Sequence, residues 1–322
     1  MEDNLFISNF RHMVIKKIII NVLIITIIVF ILDFSIGKTL RYFYFKETSG
    51  LHYRTTYSFD STKAEVLIFG GSRANRHYVP QVFEDSLNMS FYNTGRDGNG
   101  IFYQISLLKS ILKRYTPKVI VLDYVGGFEY DAESYDRMSS ILPYYGSHEE
   151  IRKTIESKSP YEKVKLISQI YPFNSKILTI AIGNMEINKK REIDDKGYVP
   201  LFTTWNEKID SQNIELINDI DSNKINAFRD FLILSKKSNI KVFVVFSPIY
   251  LKMKNTPGIE ICYNLCSSEK IPFWNFSEDT LFQNNNKLFS DIQHMNNNGA
   301  IIFSKIICEK IKNSYQYSSI KK

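Results

Sequence analysis

The sequence predicts an α/β domain built on a parallel sheet with helices covering both faces. Three observations carry that expectation. Runs such as Val119-Ile120-Val121-Leu122 and Val242-Phe243-Val244-Val245 are apolar at every position, the pattern of parallel strands buried on both sides. Stretches with helical apolar spacing alternate with these runs. The first run opens directly into Gly70-Gly71-Ser72, a strand-to-helix turn.

The elements follow in order. Ile18 to Leu32 is uncharged and interrupted only by Asn21 and Thr26. With Met13 to Ile15 added, and Lys16 and Lys17 snorkelling, it reaches the roughly 20 residues that span a bilayer. Asp33 stops the run, and the residues after it offer no small-residue cleavage pattern. The segment reads as an uncleaved signal anchor over about 13–33. It belongs to an N-terminal region, residues 1–46, whose stub is cytoplasmic; the domain, 47–322, is expected outside the cytoplasm. Arg11, Lys16 and Lys17 precede the span and Lys38, Arg41 and Lys46 follow it, so charge alone does not orient it. Tyr42 to Phe45 have the look of an interfacial aromatic belt.

A polar connector runs to about Lys63. Strands are expected at Glu65–Phe69, Ser90–Asn93, Lys118–Leu122, Lys241–Phe246 and Ile271–Phe276, and helices at Ile101–Tyr115, Asn226–Lys237, Cys262–Lys270 and Ala300–Ile311. Between the two halves, about 129–221 reads as a helical insertion. Ser159-Pro160-Tyr161-Glu162 is a helix start, with a capping Ser, Pro in the first turn and Glu at the third position.

Composition narrows the function. The 322 residues carry a net charge of +7 with 44% hydrophobic content, a mild basic balance without a dense basic run beyond Lys189-Lys190-Arg191 or any nucleic-acid recognition motif. No nucleic-acid partner is expected. Cys262, Cys266 and Cys308 form no disulfide framework and read as packing residues. His12, His52, His77 and His148 lack a second ligand at metal spacing, and His77 reads as a partly buried surface residue.

Chemistry is expected beyond the carboxyl ends of the strands. Ser72 stands there beside free backbone N–H groups, which suits a nucleophile whose product oxyanion needs donors. The competing reading is a helix-capping serine. A phosphate loop is disfavoured because the turn lacks the G-x-x-x-x-G-K-[ST] arrangement. Near the C-terminus, Asp291 lies three residues before His294. An Asp so placed accepts a hydrogen bond from one ring nitrogen while the other faces the serine. Alone, Asp291 reads equally as an Asx turn; with Ser72, the pair completes a Ser-His-Asp triad.

These residues resemble the SGNH (GDSL-like) hydrolases. Phe69-Gly70-Gly71-Ser72 matches that family's first block, and Asp291-Ile292-Gln293-His294, followed by Asn296 and Gly299-Ala300, matches its last. Asn93-Thr94-Gly95 stands where the second block supplies a backbone glycine. The resemblance covers Glu65 to Lys312 and implies a three-layer α/β/α, flavodoxin-like fold. It implies Ser72 as nucleophile, His294 as base, Asp291 orienting it, Gly95 N–H at the oxyanion, and no cofactor. The chain departs at the third block: Leu122 to Glu129 contains no Asn, and losing one such donor costs about 10² to 10³ in rate. Gly126, Gly127 or Asn99 are the available substitutes. Membrane-tethered members resemble enzymes that add or remove acyl groups on envelope polysaccharide. The expected function is thus an esterase or O-acyltransferase on an acylated polysaccharide or other ester, with Tyr130, Tyr135, Tyr144, Tyr145 and Trp205 either stacking on sugars or packing in the core. The alternatives are a non-catalytic protein of this fold that binds glycan or a membrane partner, and a nucleotide-binding protein with a phosphate nest at Gly70 to Ala74 and no His nearby. The number of subunits is not readable from the sequence.

Overall fold

A computed structural model describes residues 2–124, 127–186, 194–206, 219–251 and 256–320. Its centre is a five-stranded parallel sheet of β1 (Val66–Phe69), β2 (Phe91–Asn93), β3 (Val119–Asp123), β4 (Lys241–Phe246) and β5 (Phe273–Asn275), in the order β2-β1-β3-β4-β5. This is the doubly wound order of three-layer α/β/α proteins, and the chain reverses direction across the sheet between β1 and β3. Ser72 follows β1 after two glycines, so the nucleophile candidate sits at that switch point.

Strand alternation sorts the core into two layers. Val66, Ile68, Val119, Val121, Phe243 and Val245 pack with α3 (Ser72–His77), α4 (Pro80–Leu87) and α12 (Asn297–Ile320). Leu67, Phe69, Ile120, Leu122, Val244 and Phe246 pack with α5 (Ile101–Leu112), α10 (Ser222–Lys237) and α11 (Pro257–Ser268). Cys262, Cys266 and Cys308 are buried free thiols in these layers, and burial pushes the Cys308 thiol up to about 12.

Two expectations are corrected. The supposed polar connector is largely helical: α2 (Gly50–Asp60) buries Thr55, Ser58 and Phe59. Its inward face is mostly polar and is met by polar partners, Thr55 by Arg96 and the Ser58 and Phe59 carbonyls by the Arg114 guanidinium; hydrophobic periodicity is blind to such a helix. Of the expected interfacial belt Tyr42 to Phe45, Tyr44 turns into the core and Phe45 packs against it, while Tyr42 and Phe43 are exposed. All four end α1 (Glu2–Lys46), a single helix that runs from the apolar segment into the domain. Tyr44 is fully buried and makes ring contacts with Tyr144 and Phe173, and Phe45 packs on the same cluster. β3 extends one residue beyond expectation, because Asp123 pairs with Val245 and is buried despite its charge.

The described parts of the insertion are short helices and turns: α6 (Ala132–Arg137), α7 (Arg152–Glu156), α8 (Glu162–Lys165) and α9 (Ile177–Asn184), with 3₁₀ turns at Met138–Tyr144, Glu149–Ile151 and Tyr171–Lys176. The helix starts later than expected: α8 begins at Glu162 with Tyr161 at its N-cap and no side-chain cap, and the Ser159 hydroxyl donates instead to the Glu162 carboxylate at 2.8 Å. Lys189, Lys190 and Arg191 lie outside the described residues.

Candidate active site

The turn after β1 requires glycine at its first position. Gly70 has φ of +148°, and a Cβ there would lie 2.6 Å from Ala74 Cβ and 2.8 Å from the Asp123 carbonyl oxygen. Gln104 on α5 holds this residue from both sides, its Nε2 donating to Gly70 O at 2.8 Å and its Oε1 accepting from Gly70 N at 3.2 Å. The chain then enters α3, whose first N–H groups, beginning with Ser72, have no partner within the helix. The nucleophile candidate is thereby fixed at the strand end beside unspent donors.

On the opposite rim, the segment before α12 folds around Asp291. Its Oδ1 accepts the N–H groups of Gln293 and His294, each at 2.8 Å. Its Oδ2 meets His294 Nδ1 at 2.8 Å, and His294 Nε2 meets Ser72 Oγ at 2.7 Å. A carboxylate only accepts, so Nδ1 carries the ring proton and Nε2 is left to accept from the serine hydroxyl. Burial raises the Asp291 carboxyl, but hydrogen bonds from the His294 ring and from the Gln293 and His294 backbones outweigh it and hold the group below its ordinary value. Asn296 anchors the segment from below, its side chain donating to Lys287 O and accepting from Gly299 N–H. The structure therefore brings Ser72, His294 and Asp291 into one hydrogen-bonded line across 222 residues of sequence. It also removes the bare phosphate nest as a reading, because that reading required no His beside the turn.

His77 is a correction. Expected at the surface, it is fully buried beneath the triad, its ring 6.4 Å from that of His294. Its Nε2 accepts the backbone N–H of Met295 at 3.0 Å, and its Nδ1 lies 3.2 Å from Ser247 Oγ. The bond from Met295 requires a neutral ring with the proton on Nδ1. Burial, then the nearby His294, Arg73 and Arg76, hold its pKa well below 6.5. Because Met295 adjoins His294, this ring fixes the height of the segment that carries Asp291 and His294.

Arg73 is the second residue that sequence reasoning passed over. Buried behind the serine, it donates to Tyr124 O at 2.7 Å and Ser247 O at 3.2 Å and lies over the Phe246 ring. It ties the carboxyl ends of β3 and β4 together. Asp123 lies nearby with neither oxygen in a hydrogen bond of ordinary geometry. Burial raises its pKa, and Arg73 offsets part of that rise.

The expected oxyanion donors fare differently. Gly95 lies against the nucleophile helix so closely that a Cβ would come 2.6 Å from Asn75 N. Its N–H, however, is donated to Asn93 Oδ1 at 2.9 Å, so this donor is already engaged. Asn99 is held by the Ser140 hydroxyl at 2.6 Å and by the Asp97 carbonyl at 3.0 Å. Gly126 lies outside the described residues.

A cavity of about 520 Å³ is lined by Gly70, Gly71 and Arg73, chain neighbours of Ser72, and by Gln293, the neighbour of His294, while Ser72, Asp291 and His294 are not among its lining residues. Leu122, Phe128, Phe228 and Phe246 give it apolar walls, and Asn99 also lines it. Tyr130, Asp131, Ser134 and Arg137 add polar groups, with the Tyr130 side chain exposed. Of the other aromatic candidates, Tyr144 is core, Tyr135 donates to Asp221, Tyr145 donates to Glu156, and Trp205 packs near Tyr250. Among the described residues, no cluster of His, Cys, Asp and Glu is arranged to hold a metal ion.

No family model matches the chain, and none of the curated proteins matches it in sequence. Solved structures superpose on it loosely. An acetyl xylan esterase, AlAXEase, is 11% identical with a TM-score of 0.37, covering 77% of this chain and 98% of its own. A candidate acylhydrolase from Bacteroides fragilis is 11% identical with a TM-score of 0.41, covering 84% and 99%. The psychrotrophic esterase EstA from a Pseudoalteromonas species, inhibited by monoethylphosphonate, is 9% identical with a TM-score of 0.40, covering 78% and 99%. Identities this low transfer neither substrate nor residue roles.

Proposed function

We propose that this chain is a membrane-anchored serine hydrolase or O-acyltransferase of the SGNH type, acting on acyl esters of cell-envelope polysaccharide. One observation carries the chemistry: the continuous line Ser72 Oγ, His294 Nε2, His294 Nδ1, Asp291 Oδ2, with contacts of 2.7 and 2.8 Å. His294 takes the Ser72 proton as the oxygen attacks the ester carbonyl, then returns it to the leaving alcohol. Ser72 N–H stabilises the oxyanion. Gly95 N–H joins it only by leaving Asn93, and Asn99 is the side chain available in place of the missing third-block Asn. The apolar cavity takes the acyl part, and its polar groups with exposed Tyr130 suit a hydroxyl-rich alcohol part.

The anchor reading rests on α1. Residues 11–46 contain a window of mean hydropathy 2.7 with no buried residue, long and apolar enough to cross a membrane. A signal sequence passes the same test. Against cleavage stands Tyr44, fully buried in the core near the end of the same helix. Removing the apolar segment at its natural boundary would leave that core residue on a frayed end.

A non-catalytic glycan-binding protein is the second reading, favoured by the engaged Gly95 N–H and the absent Asn. One experiment separates the two. The full chain in detergent is treated with a fluorophosphonate probe beside Ser72→Ala and His294→Ala. Labelling that is lost in both variants supports the enzyme. A folded wild-type protein that fails to label supports the binding protein.

A further inference from the structure

The apolar run of α1 ends at Asp33, and that carboxylate is not left to water alone. It accepts from the Ser168 hydroxyl at 2.5 Å, from Gln169 N–H at 2.7 Å and from Ile170 N–H at 3.4 Å. One turn further, Gly37 packs so tightly on Gln169 that a Cβ would overlap it. The helix and the 168–170 turn are thus locked together. A carboxylate at the edge of a hydrocarbon layer needs such donors, and here the insertion supplies them.

The geometry fixes a height. Twenty residues from Met13 to Leu32 rise about 30 Å, the thickness of a hydrocarbon core. With α1 across the bilayer, Asp33 lies at the boundary on the domain side, and the 168–170 turn lies there with it. Directly before that turn, Tyr161, Val164 and Ile167 recur every third residue through α8 and its continuation. They are 70%, 66% and 62% exposed. The bonds are helical through this stretch, Lys165 N–H donating to Tyr161 O at 3.0 Å and Ile167 N–H to Val164 O at 3.2 Å, and residues three apart on a helix share a face. The inward side is well made: Glu162 is buried and accepts from the Tyr171 hydroxyl at 2.6 Å, and Leu166 packs on the core. The exposed stripe is therefore the outer face of an ordered element. Lys163 and Lys165 flank it, and Lys38 stands on α1 one turn beyond Asp33. Tyrosine, aliphatic side chains and lysines at this height are the chemistry of a membrane–water interface.

We infer that Tyr161, Val164 and Ile167 seat the insertion in the headgroup layer of the bilayer that α1 crosses, so that the domain is held at two points and at a fixed tilt. The inference rests on the anchor reading above. A single helix leaves the tilt of the domain against the bilayer free, and a second contact beside it restrains that tilt. The partner of this stripe is a phospholipid surface.

The test uses the full chain reconstituted in vesicles of phosphatidylcholine and phosphatidylglycerol. Single cysteines at Ile167→Cys, Val164→Cys and Tyr161→Cys receive an environment-sensitive fluorophore, the three native cysteines being buried. Val29→Cys reports the span, and Tyr263→Cys, on an exposed position of α11, reports water. Nitroxide-bearing lipids then quench by depth. The expected result is blue-shifted emission at 167 and 164, with most of it lost to shallow nitroxides, quenching at 29 by nitroxides on the acyl chains, and none at 263. Quenching at 29 with a water-like signal at 161, 164 and 167 overturns the seating and leaves the anchor standing. Absence of quenching at 29 removes the anchor reading and the seating with it. A shielded but unquenched label at 167 assigns the stripe to a protein partner and overturns the bilayer assignment.

Discussion

The layer under α3, α4 and α12 and the layer under α5, α10 and α11 serve the same sheet in opposite ways. In the first, buried polar side chains bond to the main chain around the Asp291–His294 segment: His77 to Met295, and Asn296 to Lys287 and Gly299, with Ser304 Oγ bracing His77 O from α12. In the second, the apolar walls leave the cavity that Gly70, Gly71, Leu122, Phe128, Phe228 and Phe246 line. One face is built for position and the other for volume. Under the proposed function, the first would hold the Ser72–His294–Asp291 line and the second would receive the acyl group.

The sharpest test of the positional face is Asp291→Asn. The Asn amide can present its NH2 to Nδ1, which then accepts and leaves the ring proton on Nε2 facing Ser72, so the ring loses its working tautomer. The expected fall in kcat/KM for ester hydrolysis is on the order of 10⁴; a fall below about tenfold would mean that Asp291 does not orient His294.

Arg73→Leu tests the joint between the faces. It deletes the bonds to Tyr124 O and Ser247 O and leaves Asp123 without its nearby cation. Unfolding in urea should show a loss of about 3 kcal/mol, and an unchanged midpoint would mean that the two strand ends need no such tie.

The face built for volume is probed at Gly100, which lines the cavity and where a Cβ would touch nothing within 4 Å. Gly100→Val narrows the space without strain. Preference should shift toward short acyl esters by roughly tenfold, measured as kcat/KM across a chain-length series; an unchanged ratio would place the acyl group elsewhere.

The smallest effect concerns His77. The fold favours its neutral ring, since its pKa is held well below 6.5. Its share of stability is present above the unfolded value and is lost as pH falls beneath 6.5, because the unfolded chain then binds the extra proton. Urea midpoints between pH 7.5 and pH 5 should fall less steeply in His77→Gln than in the wild type, and parallel slopes would refute the neutral-ring assignment.

What could be read in advance follows the range of the interactions. The Gly-Gly-Ser turn and the Asp291-x-x-His294 pair are local patterns with chemistry written in neighbouring residues. His77, Gln104 and Arg73 carried no such signal. Their partners, Met295 N–H, the Gly70 backbone and the Tyr124 and Ser247 carbonyls, are main-chain atoms that any residue type supplies. The polar helix α2 was missed for a related reason, as its buried face is satisfied by hydrogen bonds that apolar periodicity does not report. Tyr44 was placed at an interface because aromatic clusters after an apolar span usually sit there; only the docking of α1 shows it in the core.

By itself the sequence determined the alternation of strands and helices, the parallel sheet, the apolar span and the candidate nucleophile, because each follows from side-chain type at short spacing. The tertiary structure decided which backbone atoms the buried polar side chains meet, that Gly95 N–H is engaged, and that Asp33 is bound by the insertion. Those are distances between residues far apart in the chain. They are set by how layers pack and not by what any one segment prefers.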